Sequence, residues 1–112
     1  MIDDAIVTLC TVPEGDGHAE RIARGLVDAR LAACVNVVGP VRSIYRWQGK
    51  IGDDRELQLI IKTRRARYPE LERWLRANHP YAEPEIVALP IVSGSPSYLA
   101  WLGVETEGSS GA

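Results

Sequence analysis

The stretch "ELQLIIK", Glu56–Lys62, decides the fold because an apolar residue occupies every second position. Successive side chains of a strand point to opposite faces, so the odd-numbered positions cover one face and the even-numbered positions the other. The preceding stretch "CVNVVGPVRSIYRW", Cys34–Trp47, predicts a second long strand. Its Gly39-Pro40 pair predicts a bulge or an edge position, because proline cannot donate to a strand ladder. "QGKIGDD", residues 48–54, is typical of a turn, so we predict a long hairpin.

The N-terminal part predicts a strand followed by a helix. "AIVTLCTV", Ala5–Val12, is short, uncharged and rich in β-branched residues, which is typical of a strand buried on both faces. Asp16 follows a proline and a glycine, and we predict that its side chain caps a helix. Apolar residues then recur at helical spacing, and this helix is expected to end within residues 30–33.

The C-terminal part predicts a helix, a strand and a short closing helix. "RYPELERWLRAN", residues 67–78, has an apolar stripe and Pro69 in its first turn, where proline is tolerated. "EIVALPIV", Glu85–Val92, predicts the last strand. "PSYLAWLGVE", Pro96–Glu105, predicts the closing helix, with Ser95 as its cap.

This order predicts an α+β fold: a ferredoxin-like split βαβ sandwich, βαββαβ plus a short C-terminal helix, with a four-stranded antiparallel sheet. Residues 1–112 form one domain, and residues 107–112 are expected to be a disordered tail. Two helices cover only one face of such a sheet. The other face would leave several hundred Å² of apolar surface in water, roughly the upper limit for a soluble monomer. We therefore predict a closed symmetric homo-oligomer.

Composition excludes several classes of protein. The chain has 13 basic and 15 acidic residues and a net charge of -2, whereas a nucleic-acid-binding protein shows a basic excess. The acidic start and the short apolar run that follows it predict neither a secretory signal nor a membrane span. Two cysteines are then expected to be reduced thiols, and we predict a cytoplasmic location.

Cys10 and His79 are the candidate metal ligands, because a thiolate and an imidazole suit copper or zinc. Two ligands are too few for zinc, but suffice for linear copper(I), and a neighbouring subunit could supply more. The alternative is structural. Cys10 lies in an apolar run and could be a small buried hydrophobe. His79 follows a helix, whose C-terminal dipole favours a positive charge.

The segment "NHPYAEPEI", residues 78–86, has two open interpretations. Its prolines fix the entry into the last strand, and Tyr81 can bury its ring while its hydroxyl finds a partner. Glu83 and Glu85 lie two residues apart and share a face in an extended segment. They could hold a divalent cation or pair with arginines of another subunit.

The aromatic residues also leave alternatives. Trp47 is costly to expose, so it either anchors a neighbouring subunit or forms the wall of a small-molecule pocket with Glu56 and Lys62. Tyr98 and Trp101 are spaced i, i+3, and we expect them to seat the closing helix by packing.

Several motifs together resemble the CutA family of divalent-cation-tolerance proteins. They are "LCTVP" at 9–13, "ARLAACVNV" at 29–37, "YRWQGKI" at 45–51, "HPYAEPEI" at 79–86 and "SYLAWL" at 97–102. The resemblance implies a homotrimer of ferredoxin-like subunits, related in structure to PII-type signalling proteins, and a role in copper tolerance. It also implies copper ligands at Cys10 and His79, while Asn78 stands where family members with proposed ligands have a further histidine.

Two functions follow. The first is a non-enzymatic, trimeric divalent-cation-tolerance protein that binds a divalent metal such as copper. The second is a PII-like signalling protein that binds a small anionic metabolite in inter-subunit clefts, with Lys62 as a charge partner. An enzyme such as an acylphosphatase is disfavoured, because the sequence has neither a glycine-rich phosphate loop nor a nucleophile–base motif.

Overall fold

A computed structural model describes residues 4–107 and confirms the predicted α+β order. The elements are β1 Ala5–Pro13, α1 His18–Asp28, β2 Cys34–Trp47, β3 Lys50–Arg64, a 3-10 turn Arg65–Arg67, α2 Tyr68–Asn78, β4 Val87–Pro90 and α3 Pro96–Glu105. Residues 108–112 of the predicted tail lie outside the described part. No helix within residues 4–107 is long and apolar enough to cross a membrane.

The four strands form one antiparallel sheet in the order β2-β3-β1-β4. In the central pair, Cys10 lies opposite Leu59, while β4 joins the other side of β1 with Val87 opposite Leu9. This is the predicted ferredoxin-like split βαβ arrangement.

The main core lies between one sheet face, here called the helix side, and helices α1 and α2. Residues two apart on a strand share a face, so the even-numbered residues of β1 and the odd-numbered residues of β3 meet these helices. Their fully buried side chains are Cys10, Val12, Leu59 and Ile61 from the strands, Ile22 and Leu26 from α1, and Leu71 and Leu75 from α2. The predicted stripe of α2 is therefore confirmed.

The opposite sheet face, here called the open face, is covered at one end. A second buried cluster joins Leu99 and Leu102 of α3 to Ala5 and Ala33. Ala5 is an odd-numbered residue of β1 and so lies on the face opposite Cys10. The expectation that helices shelter only one face is therefore wrong at this end, because α3 folds back across it.

The predicted boundary between the hairpin turn and β3 is wrong. β3 begins at Lys50 and not at Glu56, so the predicted turn shrinks to Gln48 and Gly49, both with positive φ. Cross-strand pairs keep the polar start of β3 in the sheet: Arg42 donates two hydrogen bonds to Asp53, at 2.8 and 2.7 Å. The predicted bulge in β2 is confirmed by the register shift between Val38 and Val41.

Other boundaries also differ from the sequence-based expectations. Asp16 has φ 58° and does not cap α1, whose N-cap is Gly17 without any side-chain hydrogen bond. α1 ends at Asp28, before the predicted 30–33, and β4 covers only Val87–Pro90. The cap of α3 is confirmed, because Ser95 Oγ accepts a hydrogen bond from Tyr98 N at 3.4 Å.

The crossing of α1 and α2 requires a glycine at position 25, where an added Cβ would lie 2.5 Å from the Trp74 ring. We expect Gly25→Leu to lower the free energy of unfolding by about 1–3 kcal/mol, because overpacking forces the two helices apart. Ala23→Leu is the matched control. Ala23 lines a cavity of about 520 Å³ beside Val37 and Leu57, which can accept the new side chain. Denaturant unfolding measures both variants, and equal losses would contradict this account of the crossing.

Candidate functional site

Cys10 is buried in the helix-side core. Its side chain is 0% exposed and packs among the apolar residues of the main cluster. Burial raises the pKa of the thiol to about 12, and the nearby carboxylates of Glu85 and Glu56 add to this effect. The group is therefore a neutral thiol at pH 7, as the structural interpretation of Cys10 predicts.

His79 is also buried, at the point where α2 gives way to the following loop. Its Nε2 donates to the Thr11 carbonyl oxygen at 2.8 Å, and its Nδ1 accepts from the Tyr81 backbone N–H at 3.0 Å. These bonds place the single proton on Nε2. Burial lowers the pKa of His79. The expectation of a positive charge stabilised by the helix dipole is therefore wrong, because desolvation outweighs it.

Tyr81 connects this loop to the only buried carboxylate among residues 4–107. Its hydroxyl donates to Glu56 Oε2 at 2.8 Å, and Glu56 is 5% exposed. Burial raises the pKa of the Tyr81 phenol, and its hydrogen bond to Glu56 raises it further. Sequence reasoning expected a partner for this hydroxyl but did not identify it, because α2 separates the two residues in the chain.

The residues described in one subunit do not make a complete metal centre. Within residues 4–107 no group of three or more His, Cys, Asp or Glu side chains is placed to hold an ion. Cys10 and His79 supply two donors of the type that copper prefers. Of the two glutamates of the loop, Glu83 pairs with Arg76 of its own chain at 3.5 Å and Glu85 is exposed.

Trp47 and Lys62 lie at opposite ends of the hairpin. Trp47 is 50% exposed and pairs with Lys50, whereas Lys62 pairs with Cys34 and donates to Asn36 Oδ1. Positions 50 and 62 are separated by about 40 Å of extended strand at ~3.3 Å per residue. One chain therefore does not bring Trp47, Glu56 and Lys62 into one pocket.

Tyr98 and Trp101 do not seat α3. Their rings contact each other with centroids 5.5 Å apart and a tilt of 40° between the ring planes, and the two residues are 40% and 42% exposed. Leu99 and Leu102 make the contact with the sheet instead. The expectation was wrong because α3 is apolar on all sides, so spacing alone does not identify the buried side.

Beyond the bulge, the hairpin of residues 41–56, here called the arm, carries much of the exposed apolar surface. Ile44 is 64% exposed and Ile51 69%, on one face of the arm. Tyr45 and Trp47 are 43% and 50% exposed on its other face. An exposed aromatic and aliphatic surface of this kind is typical of a contact with another chain.

Residues 6–105 match the family described as "CutA1 divalent ion tolerance protein". This chain belongs to the CutA1 family. The Thermus thermophilus "Divalent-cation tolerance protein CutA" is 51% identical over 100 residues, which cover 89% of this chain and 96% of that protein. The solved structure from the same organism superposes with a TM-score of 0.88 at 50% identity, over 92% of this chain and 99% of that chain. The Xylella fastidiosa CutA structure has a TM-score of 0.89 at 41% identity, over 93% and 99% of the two chains.

Relatives of this CutA1 family member occur in several compartments. One from Arabidopsis thaliana is named "Protein CutA, chloroplastic", is 45% identical and is matched over 53% of its length. A structure from Archaeoglobus fulgidus is named "Periplasmic divalent cation tolerance protein CutA", at 37% identity and a TM-score of 0.87 over 92% of this chain and 99% of that one. Membership of the family therefore does not fix a compartment.

Tyr81→Phe tests the hydrogen bond between the Tyr81 hydroxyl and the buried Glu56 carboxylate. The change removes one hydroxyl and leaves Glu56 buried without this bond, so we expect a loss of about 1–3 kcal/mol in the free energy of unfolding. Glu56→Gln is the matched control, because its amide oxygen still accepts from Tyr81. In the Glu56→Gln background the Tyr81→Phe loss should shrink, as denaturant unfolding can show. The loss should shrink because a hydrogen bond to a neutral amide is weaker than one to a carboxylate, and an unchanged loss would mean that the charge of Glu56 does not strengthen this bond.

The lowered pKa of His79 predicts how stability depends on pH. In the unfolded chain the imidazole takes up a proton near pH 6.5, but in the folded state it resists protonation. Stability is therefore full above this pH and falls as the pH drops through it. His79→Gln should flatten this slope, whereas His18→Gln, at the other histidine, should not. The test measures the unfolding midpoint of each protein at several pH values in the presence of a chelator. An equal dependence of the midpoint on pH in all three proteins would contradict the prediction.

Proposed function

We propose that this chain acts as a non-enzymatic, cytoplasmic homotrimer that binds a divalent metal such as copper and takes part in metal-ion homeostasis. Its family and the printed names of its relatives support the link to divalent-cation tolerance. The observation that carries the assembly is the apolar surface that one chain leaves in water. The proposal includes no catalysed reaction, in keeping with a family named for tolerance.

The exposed apolar residues supporting a trimer lie on the open face, on the arm and on the outer side of α3. On the open face Val87 is 48%, Leu89 52% and Val38 42% exposed. Such a surface is costly in water, and a closed ring of identical subunits can bury it on every copy at once. β2 and β4 are the edge strands of the sheet, so either could also pair with another copy.

Cys10 and His79 remain the proposed metal ligands of this chain. The two side chains lie close together, because the Thr11 carbonyl oxygen is 2.8 Å from His79 Nε2 and 3.8 Å from Cys10 Sγ. Since both ring nitrogens are engaged, ligation would require His79 to give up its bond to Thr11 or to Tyr81. Asn78 supplies no third ligand as it stands, because its amide donates to Trp74 O at 2.8 Å. Further ligands would come from a neighbouring subunit.

The second candidate function is PII-like binding of a small anionic metabolite between subunits. Lys62 favours it, because its side chain lies on the open face, on the β3 face opposite Leu59 and Ile61, where subunits would meet. The cross-strand neighbour Asn36 accepts a hydrogen bond from Lys62 and would fix the position of the ammonium group. Glu56 counts against this function, because its carboxylate lies further along the same face of β3 and would repel an anion.

Metal titration of wild type, Cys10→Ser and His79→Ala tests the proposed ligands. Copper held by a thiolate and an imidazole should lose at least about tenfold in affinity with either change, which is about 1.4 kcal/mol. His18→Ala is the matched control, because His18 lies on α1 and contacts Arg21 at 2.9 Å. Competition with a chromogenic chelator gives the affinities. Unchanged affinity in both variants would remove Cys10 and His79 as ligands.

Trp47→Ala tests the arm as an anchor between subunits. If Trp47 packs against a neighbouring chain, the change should weaken assembly by about 2–4 kcal/mol, as for an aromatic residue at the centre of an interface. Lys50→Ala, at the cross-strand partner of Trp47, is the control and should have a small effect. Sedimentation velocity over a dilution series reports the change, and identical profiles for wild type and Trp47→Ala would refute the anchor.

A further inference from the structure

Three buried polar side-chain atoms have no hydrogen-bond partner within residues 4–107. They are Thr8 Oγ1, Thr63 Oγ1 and Arg67 Nε. The two threonines are 0% exposed, and the side chain of Arg67 is 11% exposed. Buried polar groups are nearly always hydrogen-bonded, so three buried atoms without a partner need an explanation.

The strand register brings the two hydroxyls together. Thr8 lies opposite Ile61 and Thr63 lies opposite Ile6, so the threonines are diagonal neighbours across β1 and β3. Diagonal neighbours on one face have Cα atoms about 7–8 Å apart, with side chains nearer. Both hydroxyls lie on the helix side, because Thr8 shares a face with Cys10 and Thr63 shares a face with Ile61.

The chain then returns over this end of the sheet. β3 ends at Arg64, one residue after Thr63, and the turn Arg65–Arg67 leads directly into α2. Arg67 is the residue before α2, and its Nη1 pairs with Glu70 Oε1 at 3.1 Å. Its Nε is a buried donor without a partner among the described residues, four positions along the chain from Thr63.

The ion pair between Arg67 and Glu70 favours a neutral bound molecule. Glu70 already balances the guanidinium of Arg67, so an additional anion would lack a countercharge. Each threonine hydroxyl can both donate and accept, which suits a molecule with both properties. A buried water typically makes about three hydrogen bonds to polar groups that would otherwise be unsatisfied, and this site offers three atoms.

We propose that Thr8, Thr63 and Arg67 together hold an internal water molecule. The water accepts from Arg67 Nε–H and donates to the two threonine oxygens. It ties the central strand pair to the start of α2 through hydrogen bonds.

A crystal structure at about 1.5 Å or better, with a parallel bromide soak, tests the site directly. We expect a solvent peak about 2.7–3.2 Å from all three atoms and no bromide signal. A wild-type site without a peak would overturn the proposal. An anomalous bromide peak would overturn it too, because it would show that the guest is an anion.

Valine substitutions separate a bound water from a dry pair of hydroxyls. Thr8→Val should remove the peak and lower the melting temperature by several degrees, roughly 4–8 °C. Thr8→Ser keeps the hydroxyl and should keep the peak, so it covers the case in which the valine variant does not fold. Thr106→Val is the control, because the Thr106 hydroxyl donates to Leu102 O at 2.8 Å and its loss should leave the peak in place. A higher melting temperature for Thr8→Val would mean that no water binds the threonine hydroxyls, and it would overturn the proposal.

Discussion

The pairing of β1 with β3 is the contact on which the rest of the structure depends. β1 lies between β3 and β4, so its register decides which side chains face the helices and which face the open side. A slip of one residue would turn Cys10 and Val12 out of the core and turn their neighbours into it. This register determines the core, the position of His79 against Thr11 and the diagonal pair of Thr8 and Thr63.

The same pairing explains why one chain leaves apolar side chains exposed on both sides of the sheet. A sheet with apolar residues on both faces needs cover on both, and α3 covers only one end of the open face. The exposed apolar residues that remain are therefore concentrated on the open face, the arm and the outer side of α3. The proposed assembly with identical copies would cover this surface.

The sequence predicted what depends on periodicity and missed what depends on contacts between distant segments. The alternation in Glu56–Lys62 and the stripe of α2 predicted the element order and the helix-side core. The polar start of β3 was read as a turn, because the Arg42–Asp53 pair that keeps it in the sheet joins two strands. The outward position of Trp101 depends on how an apolar helix is rotated, which its own pattern does not fix.

The candidate site shows the same limit of prediction from sequence. The sequence singled out Cys10 and His79, but their neutral, buried states depend on Thr11, Tyr81 and the core around them.

The proposed covering of the open face by copies of the same chain can be tested by mass. Sedimentation equilibrium of the wild-type protein at ~1 µM measures this most directly, because it gives the mass of the species present at a stated protein concentration. The account predicts about three times the 12.3 kDa mass of one chain. A stable, folded species of a single chain's mass at that concentration would contradict it.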